Sequence, residues 1–225
     1  AATMIILHTT RKLEIDPGEI EIASIHGGNL HRAGEIMLAD QLPNGAGFVD
    51  WIARNWEDKV LGELFETPEH CTCETACYDC LMSYQNRSLH ALLDWRLGMQ
   101  LLRVFNTNGL DLKTVLEESE ERAGALLEEL SDSFPEVKKV DDLEWSACFS
   151  DGGTLFMIVD PFVSPALGTD NKLGRSAEAW LQRDGSNEVR LMDTFNMSRR
   201  LAWCWSHRLE KMPPAHVVDA GTEPT

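Results

Sequence analysis

Cys71, Cys73, Cys77 and Cys80 bring four thiols within ten residues of chain. Thiolates are soft ligands, and four at this spacing can occupy every vertex of a tetrahedral Zn²⁺ site. A site filled by four protein ligands has no open coordination position, so the expected metal is structural rather than catalytic. A [4Fe–4S] cluster also takes four cysteines, although the Cys-x-Cys opening departs from its usual spacings. Unligated or redox-active thiols are the third reading. Two disulfides fit poorly, because residues 1–10 lack the charged segment and cleavable apolar stretch of a secretory signal. His70 adjoins the cluster and reads as a bystander beside four cysteines. Cys148 and Cys204 stand alone in apolar surroundings and read as small core residues.

Other chemistry is thinly signalled. The chain has no Gly-x-x-x-x-Gly-Lys phosphate loop, no His-Glu-x-x-His, no Gly-x-Ser-x-Gly elbow and no His-x-Lys pair. Asn44, Gly45 and Gly47 form a loop before a helix N-terminus, where free N–H groups favour an anion, although a plain turn explains them as well. Asp160 and Asp193 end predicted strands, as metal-binding carboxylates of nucleases do and as ordinary caps do. Lys172 is the only lysine between Lys139 and Lys211 that such a nuclease could use. Arg199 and Arg200, with Trp203 and Trp205 nearby, are the best match to a basic and aromatic nucleic-acid patch. A largely buried aromatic helix is the competing reading.

The formal charge of −17 over 225 residues opposes DNA binding by the chain as a whole, since phosphate contacts need a basic face. A local basic patch is compatible with it. No stretch approaches the roughly 20 apolar residues of a membrane helix. The abrupt opening, Ala1-Ala2-Thr3 leading into Met4-Ile5-Ile6-Leu7, reads as part of something longer.

These residues need elements to position them. Residues 4–15 and 20–25 read as two strands with a turn at Asp16-Pro17-Gly18, and residues 36–38 as a third. Phe48, Ile52, Trp56, Val60 and Leu64 recur at helical spacing and predict a helix over 48–66. Ser88 is the expected N-cap of a helix presenting Leu89, Leu92, Leu93, Leu97, Leu101, Val104 and Phe105. Residues 112–130 repeat the helical pattern, with an acidic outer face (Glu117, Glu118, Glu120, Glu121, Glu128, Glu129) that reads as solvated surface. Beyond Phe134-Pro135, a strand at 155–159, a helix near 175–183, a strand at 189–192 and a last segment over 199–210 suggest a small α/β unit.

In order, the chain presents Asp40-x-Leu42-Pro43-x-Gly45-x-Gly47, an amphipathic helix, and Cys71-x-Cys73-x-x-x-Cys77-Tyr78-x-Cys80-Leu81. Tyr84, Asn86 and the Leu93-Asp94 pair follow. This combination, over roughly residues 1–105, resembles the MrfA-like zinc-binding domain found at the C-terminus of superfamily 2 DEAD/DEAH-box DNA helicases and in helicase-associated phage-defence proteins. Two departures are Asn44 where relatives often carry Gly, and Trp95 where they often carry Arg.

The expected fold is α+β: a small sheet packed with amphipathic helices around a four-cysteine zinc knuckle, then a smaller α/β segment. The expected division is 1–132 for the zinc domain with its trailing acidic helix, 140–210 for the second unit, and 211–225 for a flexible tail. The resemblance implies a non-catalytic structural zinc module, with Tyr84 and Asn86 supporting the ligand loop. ATP would be used only in upstream or partner motor domains. Partners would be helicase lobes in cis or a helicase subunit in trans, with DNA touched weakly or indirectly, in the cytoplasm, for DNA repair or phage defence. The alternatives are a divergent metal-dependent nuclease over 140–210 and an acidic protein-interaction scaffold.

Overall fold

The computed structural model describes residues 1–22, 37–42, 45–66, 73–107, 109, 111–163, 170–184 and 187–210. The architecture is α+β, with a two-stranded and a four-stranded sheet among helices, and it divides into two compact units, Ala1–Leu110 and Asp111–Thr225.

The first unit opens with helix α1, Ala2–Leu13, where the sequence predicts a strand. Met4, Ile5, Ile6, Leu7, Thr9 and Thr10 are all buried, so the segment carries almost no polar face to betray its period. A short apolar, β-branched run of this kind reads equally as a buried strand or a buried helix, and packing decides. The helix ends at Glu14 in the left-handed conformation (φ 54°), and Ile15 N donates to Thr10 O at 3.0 Å.

Strands β1 (Ile20–Ile22) and β2 (Leu38–Asp40) pair antiparallel, Ile20 opposite Asp40. The third predicted strand thus sits later in the chain than 36–38. Residues 23–25 of the second predicted strand lie outside the described residues.

The predicted helix over 48–66 is present in three pieces. Helix α2 (Phe48–Arg54) leads through Asn55 into a π-helical turn, Trp56–Gly62, and then helix α3 (Glu63–Glu66). The wider turn shifts the helical phase, so Leu61 joins Val60 and Leu64 in the core.

After the knuckle the predicted helix start at Ser88 gives way to a 3-10 turn, Arg87–Leu92, and helix α4 runs from Trp95 to Thr107. Asp94 caps it, accepting from Arg96 N at 3.0 Å and Leu97 N at 3.4 Å. This start rotates the buried face. Leu102 is fully buried and Met99 and Phe105 pack beside it, whereas Leu89 and Leu92 are exposed. Gly98 is needed where α4 meets α1, because a Cβ there would lie 2.4 Å from Met4 Sδ.

The second unit begins earlier than the sequence suggests. Helix α5 (Leu112–Ser133) belongs to it, because its stripe of Val115, Leu116, Ala123, Leu126, Leu127 and Leu130 is buried in this unit. Strands β3 (Lys138–Lys139), β4 (Cys148–Asp151), β5 (Thr154–Val159) and β6 (Glu188–Asp193) lie in that order. Neighbours are antiparallel except β5 and β6, which are parallel and joined through helix α6 (Lys172–Leu181). Every residue from Leu155 to Val159 is buried, as expected of a central strand covered on both faces. Helix α7 (Thr194–Ser206) closes the unit and starts before the predicted 199. The tail 211–225 lies outside the described residues.

The acidic face of α5 is solvated in part and paired in part. Glu120 bonds Lys172, and Glu128 bonds Lys139, while Glu117, Glu121 and Glu129 are exposed. Among the described residues, no helix is long and apolar enough to cross a membrane.

Candidate metal centre

The chain from Cys77 folds into one tight turn in which Cys80, Leu81 and Met82 all donate their N–H to Cys77 O, at 3.2, 3.1 and 2.9 Å. That turn faces the Cys80 thiol back toward Cys77, whose N–H reaches Cys80 Sγ at 3.1 Å. Cys73 approaches from the preceding strand of chain, with Cys73 Sγ 3.6 Å from Cys80 Sγ. The three sulfurs lie within 4.8 Å of one another, and none of the described cysteines is in a disulfide. A tetrahedral Zn²⁺ with bonds of about 2.3 Å has sulfur–sulfur edges of about 3.8 Å, so this donor set fits zinc. Cys71, the fourth predicted ligand, and His70 lie outside the described residues.

Hydrogen bonds hold the knuckle from three sides. Trp95 clamps it at the start of α4, its indole N–H donating to Cys73 O at 3.1 Å and its backbone N–H to Thr75 O at 2.9 Å. Asn86 accepts from Ser83 N at 2.8 Å and donates to Leu81 O at 2.7 Å, which fixes the chain as it leaves Cys80. His90 Nε2 lies 3.0 Å from both Ser83 O and Asn86 Oδ1, so this nitrogen carries the proton. Below, Cys80 and Leu81 join the buried cluster that includes Ile5, Ile20, Val60 and Leu102. The metal loop is therefore continuous with the core of the first unit.

Asn86 thus holds the chain as it leaves Cys80, while Tyr84 is 80% exposed and lies under the Arg87 guanidinium, 5.7 Å away. In the sequence Trp95 stands only as a departure from the family pattern. Its indole N–H, a donor that arginine would replace with a different geometry, was the available signal.

The glycine loop resolves as an internal cap. Gly45 (φ 65°) and Gly47 (φ 83°) both adopt the left-handed conformation, and Asn44 lies outside the described residues. The anion at the start of α2 is the chain's own Asp40, which accepts from Gly47 N at 2.8 Å and Val49 N at 3.0 Å. A Cβ on Gly45 would lie 3.2 Å from Asp40 Oδ2. Asp40→Ala is expected to lower stability by about 1 kcal/mol, the usual worth of a helix cap. Urea denaturation of the two proteins checks it, and an unchanged midpoint would refute the capping role.

The two strand-end aspartates stand at the same end of adjacent parallel strands, with Val159 opposite Asp193. Each is engaged as a turn former. Asp160 accepts from Phe162 N at 2.9 Å, and Asp193 caps α7 through Asn196 N and Nδ2, both at 2.7 Å. The Lys172 ammonium is held by Glu120 beside the Trp145 ring. These contacts support structural roles for the three residues that the nuclease alternative requires.

Cys148 and Cys204 are buried, as expected. Burial pushes the Cys148 thiol up to about 12, and burial followed by the nearby Asp193 carboxylate raises that of Cys204. On α7, Arg200 lies over the Trp203 ring, which is 38% exposed, while Arg199 lies over Phe195.

Comparison with known proteins agrees with the resemblance read from the sequence. Residues 1–81 match the family model of the MrfA Zn-binding domain. Druantia protein DruE of Escherichia coli (strain UMEA 4076-1) is 33% identical over 98 residues, covering 41% of this chain and 5% of that protein. The chain therefore spans a small fraction of the length of the curated relative it matches. No solved structure matches the chain.

Proposed function

We propose that residues 1–110 form a structural zinc module that serves an ATP-driven DNA helicase, whose motor lies on the same longer chain or on a partner. The observation that carries this reading is the convergence of Cys73, Cys77 and Cys80 inside a segment that matches a zinc-binding domain. Cys71 would complete the tetrahedron. With four thiolates the metal has no open position and supplies folding energy rather than chemistry. The likeness to DruE supports a setting of the phage-defence kind over DNA repair, and a cytoplasmic place of action follows from a DNA substrate.

Mechanically, the module would present a stiff surface to the motor or to the DNA path. The clamp from Trp95 to Cys73 O ties the metal loop to α4, and the Gly98 contact ties α4 to α1. A metallated knuckle thus sets the geometry of both helices. DNA contact by this unit would be indirect.

The test is made on the full-length helicase or its assembled complex. Cys77→Ser with Cys80→Ser should impair DNA unwinding, or assembly of the complex, while basal ATP hydrolysis in the motor lobes persists. Normal unwinding by a complex shown to lack zinc would overturn the support role.

A further inference from the structure

The most acidic chain can still hold one basic surface, and here the second unit concentrates it on α7. Between Asp193 and Glu210 there is no acidic residue, while Arg199, Arg200 and Arg208 contribute three positive charges and His207 a fourth titratable group. In a protein of net charge −17 that run is an outlier.

The side chains on this helix are sorted by depth. Trp205 is buried, stacked on Phe134 at 5.3 Å and tilted against Phe149 at 5.8 Å. Trp203, two residues earlier, stands at the surface in a column of flat groups. The Arg200 guanidinium lies 4.3 Å from its ring centroid, and the His207 ring stacks at 4.5 Å with planes 19° apart. Non-helical dihedrals at Arg200 (φ −153°, ψ 52°) send the two consecutive arginines opposite ways, Arg199 back over Phe195 and Arg200 forward over Trp203. Arg200 hydrogen-bonds the neutral amide of Asn196. Arg208 is committed to Asp151 and belongs to the scaffold.

From this arrangement we infer that the α7 face built from Arg199, Arg200, Trp203 and His207 binds single-stranded nucleic acid. A nucleobase extends the column at the His207 end, or takes the place of the Arg200 guanidinium on the Trp203 face. The arginines meet the phosphates on either side. Flat aromatic and guanidinium surfaces stack on any unpaired base, whereas duplex bases keep their faces hidden. Acidic groups elsewhere on the chain are screened beyond about 10 Å at 0.1 M salt, so a local patch can act against the net charge. The same charge makes the affinity modest and steeply salt-dependent. The inference concerns the second unit and stands apart from the zinc reading of the first.

The experiment measures fluorescence anisotropy of labelled oligo-dT and oligo-U strands with the whole 225-residue chain at low and physiological salt. Single strands of either sugar should bind more tightly than a duplex of equal length. Trp203→Ala should weaken binding by roughly tenfold, within the range for loss of one stacked base. Arg200→Lys, which keeps the charge but loses the flat group, should also weaken it, with the salt slope preserved. Thermal melts confirm that both variants stay folded. Equal affinity for duplex and single strand, unchanged binding by folded Trp203→Ala, or binding only to anionic lipid vesicles would each overturn the inference.

Discussion

Replacing Cys77 and Cys80 together by serine is expected to remove the bound zinc and to unfold the first unit around its knuckle. Serine oxygen is a poor substitute for a soft thiolate, and two of the three thiols that converge are lost at once. Structural zinc in small domains contributes about 10–16 kcal/mol of apparent binding energy, which is folding energy, against a typical domain stability of about 5–15 kcal/mol. The first unit has its own apolar core, so part of it can persist, but Cys80 and Leu81 are members of that core and cannot move without disturbing it. Metal analysis should give one zinc per chain for the parent protein and close to none for the double variant. Less than half an equivalent in freshly purified, reduced parent protein would refute the site. Chelation offers a second readout. It should expose the knuckle thiols to alkylation at pH 8, while Cys148 stays unreactive because burial holds its thiol near 12, far from the thiolate form. Rapid labelling of Cys148 in the folded protein would contradict its buried placement.

How much of this was legible in the sequence depended on the kind of signal. The cysteine spacing was readable because metal ligation imposes residue type and separation together. Helix α5 was readable because one face is apolar and the other charged, so its period shows. Helix α1 was not, since Met4–Leu7, Thr9 and Thr10 are buried on nearly every side and the polar half of the pattern is missing. Its run of β-branched residues pointed to a strand, and tertiary packing overrode that preference. The start of α4 is displaced by six residues because Ser88 and Asp94 are both fair caps; only the clamp between Trp95 and Cys73 O selects the second. Asp40 was read as part of a motif without its partner. Its role requires Gly45 and Gly47 to turn the chain back onto it, a three-dimensional fact that spacing alone does not express.

Two tryptophans on α7 should respond to the same substitution with very different losses of stability, and the difference separates packing from binding. Trp205→Ala removes a ring that is 7% exposed and lies among Phe134, Phe149 and the Arg208 guanidinium, the last 3.4 Å from its centroid. Truncating a buried tryptophan typically costs about 3–5 kcal/mol, from lost transfer energy and the cavity left behind. That is a large share of the stability of a unit this size, so the melting temperature should fall steeply and α7 should lose its seat on the sheet. Trp203→Ala removes a half-exposed ring whose contacts are the cation and histidine above and below it, and should cost no more than about 1 kcal/mol. Urea denaturation followed by near-ultraviolet circular dichroism distinguishes the two. If Trp205→Ala shifts stability by less than Trp203→Ala, the assignment of one ring to the core and the other to the surface is wrong. If the order holds, Trp203→Ala supplies a folded protein in which the basic column has lost its centre, so any loss of nucleic-acid affinity in that variant comes from the surface itself.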